Sequence, residues 1–174
     1  MAYRIALLLA LLLSAFSVKA LYDPAPIYVL RNVQGEWKGT LTYIDYGAPH
    51  KEVTLPTRLY VALSAPDEIT LSYVHDDGPG KTVYSYERLR FDIDGKAVTW
   101  NSKSDGQPDS RQGKIVSIEE KASAIVLLAE FNEGDMLARY RFEFSDSTLS
   151  MEKQEIRSGK PPLRRSRYQF LRGA

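Results

Sequence analysis

From Trp37 onward, apolar and polar residues alternate. Trp37, Gly39, Leu41 and Tyr43 fall on one face, with Lys38, Thr40 and Thr42 on the other. Val53, Leu55, Thr57, Leu59, Val61 and Leu63 interleave with a mostly polar set. Ile69, Leu71 and Tyr73 do the same, as do Met136, Ala138, Tyr140, Phe142 and Phe144. A period of two is the signature of a strand with one buried and one solvated face. Turn-forming clusters separate the runs: Asp76-Asp77-Gly78-Pro79-Gly80, Asp94-Gly95, Asn132-Glu133-Gly134-Asp135 and Ser158-Gly159-Lys160-Pro161-Pro162 among them. Asp-Gly is a tight-hairpin signal. The spacing predicts an all-β chain of about eight to ten antiparallel strands. The segment 115–128 is the most ambiguous. Glu119-Glu120-Lys121-Ala122 could form a helical turn, while Ile125 to Leu128 suits a buried strand.

Residues 1–20 carry a different pattern. Arg4 precedes an apolar run from Ile5 to Phe16, and Val18-Lys19-Ala20 offers small or β-branched residues at the cleavage positions. This is the layout of a secretory signal peptide. The run is shorter than the roughly 20 residues a spanning helix needs, so no stable membrane span is expected after cleavage. Residues 21–32 read as an extended lead-in with Pro24 and Pro26, and residues 33–174 as one barrel domain. The absence of cysteine excludes disulfides, Cys-based zinc sites and thiol nucleophiles. Export without disulfides suits a bacterial periplasm or the extracellular space. A net charge of +1 gives no reason to expect nucleic acid as a partner.

A meander of this many strands leaves two edges free to aggregate unless it closes. Closure pairs the strand around 165–172 with the one around 36–46. Gly35-Glu36-Trp37-Lys38-Gly39 at the start of the first long strand resembles the Gly-x-Trp opening of the lipocalins and the wider calycin group. The resemblance implies an up-and-down β-barrel with Trp37 at its closed base. It also implies an arginine from the last strand across the indole, a cation–π contact. Arg165, Arg167 and Arg172 are candidates. Arg172 is preferred because it continues the face of Tyr168 and Phe170. The C-terminal helix of lipocalins and the helical pair of fatty-acid-binding proteins have no counterpart in the sequence.

Eleven Tyr, six Phe and two Trp make the chain rich in rings. Tyr43, Tyr73, Trp100, Tyr140, Phe142 and Phe144 fall on the inward faces. Tyrosine, apolar with a polar tip, suits a pocket for an amphipathic ligand, although small barrels are commonly packed solid. Glu87 shares a face with Val83, Leu89 and Phe91, and Glu130 follows Leu128 in the same way. An inward carboxylate is costly unless paired, so either residue is a candidate ligand contact or acid/base. His75 reads as a loop-entry residue beside Asp76 and Asp77, with haem or metal ligation the lesser reading. His50 reads as a solvent-facing turn residue.

No serine elbow, phosphate loop or dinucleotide fingerprint is present, so no cofactor and no catalytic residue is assigned. The expected role is an exported lipocalin-like carrier of a small apolar or amphipathic molecule in the lumen. Tyr43, Tyr73, Glu87, Trp100, Tyr140 and Phe142 would line the cavity, and Trp37 and Arg172 would close the base. A packed barrel acting through its outer surface in the envelope is the alternative. A barrel enzyme using an inward glutamate is another.

Overall fold

The computed structural model describes residues 31–48, 51–104, 107–121 and 124–173. The leader, most of the lead-in and His50 lie outside the described residues. A short 3-10 turn, Arg31–Val33, precedes ten strands: β1 Gly35–Ile44, β2 Glu52–Ala65, β3 Glu68–Asp76, β4 Thr82–Phe91 and β5 Ala97–Ser104. They continue as β6 Gln107–Lys121, β7 Ala124–Glu133, β8 Met136–Phe144, β9 Thr148–Ile156 and β10 Leu163–Arg172. Each strand pairs antiparallel with the next, and β10 pairs with β1, giving a closed up-and-down barrel. This is the all-β architecture that the alternation and turn spacing predict.

The turns follow their residues. Gly95 and Gly134 sit at φ of 68° and 64°, a left-handed conformation that glycine adopts without a Cβ penalty. The amide of Gly95 donates to the Asp92 carbonyl at 2.9 Å and holds the β4–β5 turn tight. The ambiguous segment 115–128 is strand on both sides of its turn. A bulge between Ile115 and Ser117 changes the inward parity of β6. Ile115 faces in opposite Ala129, and after the bulge Ile118 faces in opposite Leu127. A simple period cannot carry across such an extra residue.

The β1–β10 seam closes the sheet. Its register runs from Trp37 opposite Arg172 to Tyr43 opposite Ser166. Gly39 is required there, because a Cβ at that position would sit 1.8 Å from the Gln169 carbonyl oxygen. Trp37 is fully buried, and its Nε1 donates to the Val33 carbonyl at 2.8 Å. The Arg172 guanidinium lies 4.3 Å from the indole centroid. It also donates to the carbonyls of Asn32 at 2.6 Å, Gln34 at 2.9 Å and Asp146 at 2.6 Å. One cation thus ties the N-terminal turn, the β8–β9 turn and the last strand onto one ring. Such a contact contributes about 1–2 kcal/mol when partly desolvated.

Above this base the lumen is apolar and filled. Leu59, Leu71, Leu89, Phe91, Leu127, Phe142, Phe144, Leu149 and Met151 surround a void of only about 20 Å³. That half of the barrel has no room for a ligand. Among the described residues, no helix is long and apolar enough to cross a membrane.

Trp37→Ala should cost about 3–5 kcal/mol in urea unfolding, the range for a fully buried large ring. A loss below about 0.5 kcal/mol, the usual scale of a surface substitution, would show that the base does not depend on the indole.

Candidate functional site

The upper lumen is built differently. Above Phe142 and Met151 the inward positions change from aliphatic to aromatic and charged. Two aromatic stacks face each other. On one side Trp100 packs 4.6 Å from Tyr140 and edge-on to Phe131 at 5.6 Å. On the other, Tyr73 stacks with Tyr168 at 5.0 Å and with His75 at 5.8 Å, and Tyr168 stacks on Phe170. Between them lies a partly enclosed cavity of about 120 Å³. Trp100, Tyr140, Tyr168, Met151 and Ser166 line it, with Glu87, Arg111, Lys153 and Glu152.

Register and one glycine place the charges. Arg111 on β6 lies opposite Trp100 on β5, and Gly113 lies opposite Phe131 on β7. A Cβ at Gly113 would come within 2.5 Å of the Phe131 ring, so the glycine lets that ring lie against β6. Above it the Arg111 guanidinium sits 5.2–5.8 Å from the centroids of Trp100, Phe131 and Tyr140. Its Nη1 donates to the Tyr140 hydroxyl at 3.1 Å and pairs with Glu133. The other Glu133 oxygen accepts from Lys153 Nζ at 2.8 Å. Lys153 lies opposite Tyr140 in register and 5.6 Å from its ring centroid.

Glu87 is the exception in this network. It forms no ion pair among the described residues. The hydrogen bond it makes there is accepted from the Tyr73 hydroxyl at 3.4 Å. Loss of water pushes its carboxyl up from the ordinary 4.5 to about 7, while Arg111 and the Tyr73 hydroxyl pull the other way. Burial raises the Tyr73, Tyr140 and Tyr168 hydroxyls too, so all three are neutral donors at physiological pH. Burial alone would lower Lys153, but Tyr140 and Glu133 reverse this and keep the ammonium charged.

Of the residues expected to line a pocket, Glu87, Trp100 and Tyr140 do so. Tyr73 stands behind Glu87 as its hydrogen-bond donor. Phe142 lies lower, on the 20 Å³ void. Tyr43 is half-buried on β1 between Val53 and Ser166, outside the cavity lining. Two expectations are corrected. Glu130 faces outward, where one of its oxygens accepts from Arg139 Nε at 2.8 Å and Nη2 at 2.7 Å. It alternates with the inward Ala129 and Phe131, so the strand's parity places it outside. His75 is not an exposed loop residue. It is buried, with Nδ1 3.1 Å from the Thr57 hydroxyl and Nε2 3.2 Å from the Ser85 hydroxyl. Burial holds its pKa below the usual 6.5, with the Asp77 carboxylate opposing.

Arg111, Glu133, Lys153 and Tyr168 were missed as site residues. Lys153 and Glu155 continue the inward face of Leu149 and Met151, so the β9 pattern carried a usable signal. The stretch around Arg111 has no apolar alternation to mark its faces. A wider groove of about 790 Å³ lies on the outer side near the β3–β4 turn, lined by Lys38, Arg58, Lys81 and Gly78-Pro79-Gly80. It gathers no aromatic side chain.

No protein-family model matches this chain, and neither does any curated protein. Several solved structures share its path, two of them as follows. One is Rv2717c from M. tuberculosis, with TM-score 0.64 and 13% identity, covering 87% of this chain and 99% of that one. The other is the S-type phycobiliprotein lyase CPES from Guillardia theta, with TM-score 0.61 and 11% identity, covering 87% and 94%. What the three share is the closed antiparallel barrel fold. At these identities the likeness is one of fold.

The Glu87 shift sets a pH dependence of stability. Between 4.5 and about 7 the folded carboxyl keeps a proton that the unfolded chain has lost. Stability therefore falls as pH rises through that window, by about 3 kcal/mol. In urea titrations Glu87→Gln should flatten this slope and be the more stable protein at alkaline pH. Parallel curves for the two proteins would show that Glu87 does not titrate in this way.

Proposed function

We propose that this barrel binds a small amphipathic molecule in its upper lumen, with one ring of the ligand between Trp100, Tyr140 and Tyr168. The observation that carries the reading is the 120 Å³ cavity kept beside a buried carboxyl in a lumen otherwise packed. A cavity of about 150 Å³ accepts a benzene ring, whereas drug-sized ligands occupy roughly 300–1,000 Å³. The ligand, or the part of it that enters, is therefore about one ring in size. The filled base argues against a long acyl chain. Glu87 and the Tyr168 hydroxyl supply the polar contacts that orient a ring bearing a hydrogen-bonding group.

A second reading is favoured by the same carboxyl. A group with a pKa of about 7 at a cavity is suited to proton transfer, so Glu87 could act as a general acid or base on the bound ring. Turnover of a bound probe that stops in Glu87→Gln would support catalysis over carriage.

We also propose export through the leader 1–20, supported by Arg4, the apolar run and Ala20. The intact mass of the exported protein should then begin at Leu21. A mass that retains Met1 to Ala20 after export would refute cleavage there.

The binding test is a titration with neutral 4-methylphenol, followed by the NMR signals of the Trp100, Tyr140 and Tyr168 rings. Those signals should shift together, and Tyr140→Leu should weaken binding by about tenfold, or 1.4 kcal/mol. No shift at millimolar probe would leave the packed barrel, acting through its outer surface, as the better reading.

A further inference from the structure

The upper lumen holds an unequal set of buried charges. Three cations point inward: Arg111, Lys153 and Arg165, with side chains 21%, 15% and 10% exposed. Two carboxylates are committed to them. Glu133 serves both Arg111 and Lys153, and Glu155 lies 3.5 Å from Arg165 Nε. At the rim, Asp109 reaches Arg111 at 3.2 Å and Arg157 reaches Glu155 at 3.9 Å. Arg157 also pairs with Asp135 at 3.4 Å, and Asp109, Arg157 and Asp135 are 59%, 44% and 83% exposed, so water screens these rim charges far more than the buried ones. Among the buried groups one positive charge is thus left over. Glu152 also borders the cavity, but it alternates with the inward Met151 and Lys153, and its carboxylate accepts from Gln154 Nε2 at 2.8 Å on the outer face. Glu87 is the remaining inward carboxyl on the cavity.

The groups around Glu87 offer no other compensation. From β3 it meets the Tyr73 hydroxyl, with the buried His75 ring beyond. β5 brings Trp100 and Ser102, which do not ionise. β6 and β7 bring Arg111 and Glu133, β9 brings Lys153 and, turned to the outer face with Gln154, Glu152, while β8 and β10 bring the neutral Tyr140 and Tyr168. Glu87 must ionise without an ion-pair partner to balance the site, at the cost of desolvating its charge.

We infer that the cavity takes a ring-sized organic anion, a carboxylate, together with one proton that comes from solvent and rests on Glu87. This rests on the lumen-binding reading above. The ligand's charge then balances the excess cation, and the neutral Glu87 carboxyl donates a hydrogen bond to it. A second negative charge beside Glu87 favours the protonated form, so anion and proton enter together. The near-neutral titration of Glu87 supports this, because the protonated form is within reach at physiological pH. A cationic ligand would reverse the coupling, since it would require Glu87 ionised beside Arg111 and Lys153.

The test uses benzoate, with benzylamine as the cation and 4-methylphenol as the neutral ring. Benzoate should bind more tightly than either. Its affinity should be level between about pH 5.5 and 7, where benzoate is ionised, and fall up to tenfold per pH unit above that. Calorimetry on the wild-type chain at about pH 8.5, in two buffers of different ionisation enthalpy, should show uptake of close to one proton on benzoate binding. Glu87→Gln, whose amide keeps a donor, should bind benzoate with no such slope. Tighter binding of benzylamine, or benzoate binding without proton uptake at about pH 8.5, would overturn the inference while leaving the lumen-binding reading intact. Failure of all three probes would sink both.

Discussion

The structure depends on closure of its first strand against its last. Ten antiparallel strands in sequence order would otherwise expose two edges of unpaired amides and carbonyls. Gly39 lets the seam close, because any side chain there would collide with the Gln169 carbonyl. Arg172 then locks the end of the seam, donating to three backbone carbonyls while covering the Trp37 indole. Without this closure the inward positions of β3, β6, β8 and β10 would not converge, and neither the core nor the cavity would exist.

The closed lumen is divided by chemistry. Near Trp37 the inward residues are aliphatic and phenyl, and they pack until almost no space remains. Nearer the other end, rings with polar tips and ionised side chains replace them. Large rings against paired ions cannot fill space as aliphatic side chains do, because each polar atom also needs a partner at hydrogen-bond distance. The cavity therefore opens where the polarity changes. The same place combines aromatic surface with groups that can hold or exchange a proton, which makes it the natural seat for a ligand.

Much of the fold was legible because burial in a sheet imposes a period of two. Trp37, Leu59, Leu71, Leu89 and Phe170 follow that rule without interruption. The β6 bulge was not legible, since the extra residue at Val116 leaves no mark in composition. Parity also misleads at Glu130, because the apolar Leu128 looks inward although both residues lie on the outer face. His75 was read from its acidic neighbours in sequence. Its actual neighbours are Tyr73, Thr57 and Ser85 from three strands, and these bury it.

By itself the sequence determined the strand pattern, the turns, the absence of covalent crosslinks and the ring-rich inner face, because these follow from local residue types and spacing. Only the tertiary structure decided which charges meet. Arg111, Glu133 and Lys153 come from β6, β7 and β9, and their contact arises from register across the sheet. Whether Glu87 is paired, and hence how it titrates, is likewise a property of the closed lumen. Removal from water and the distance to other charges set its proton affinity, and both exist only once the barrel has formed.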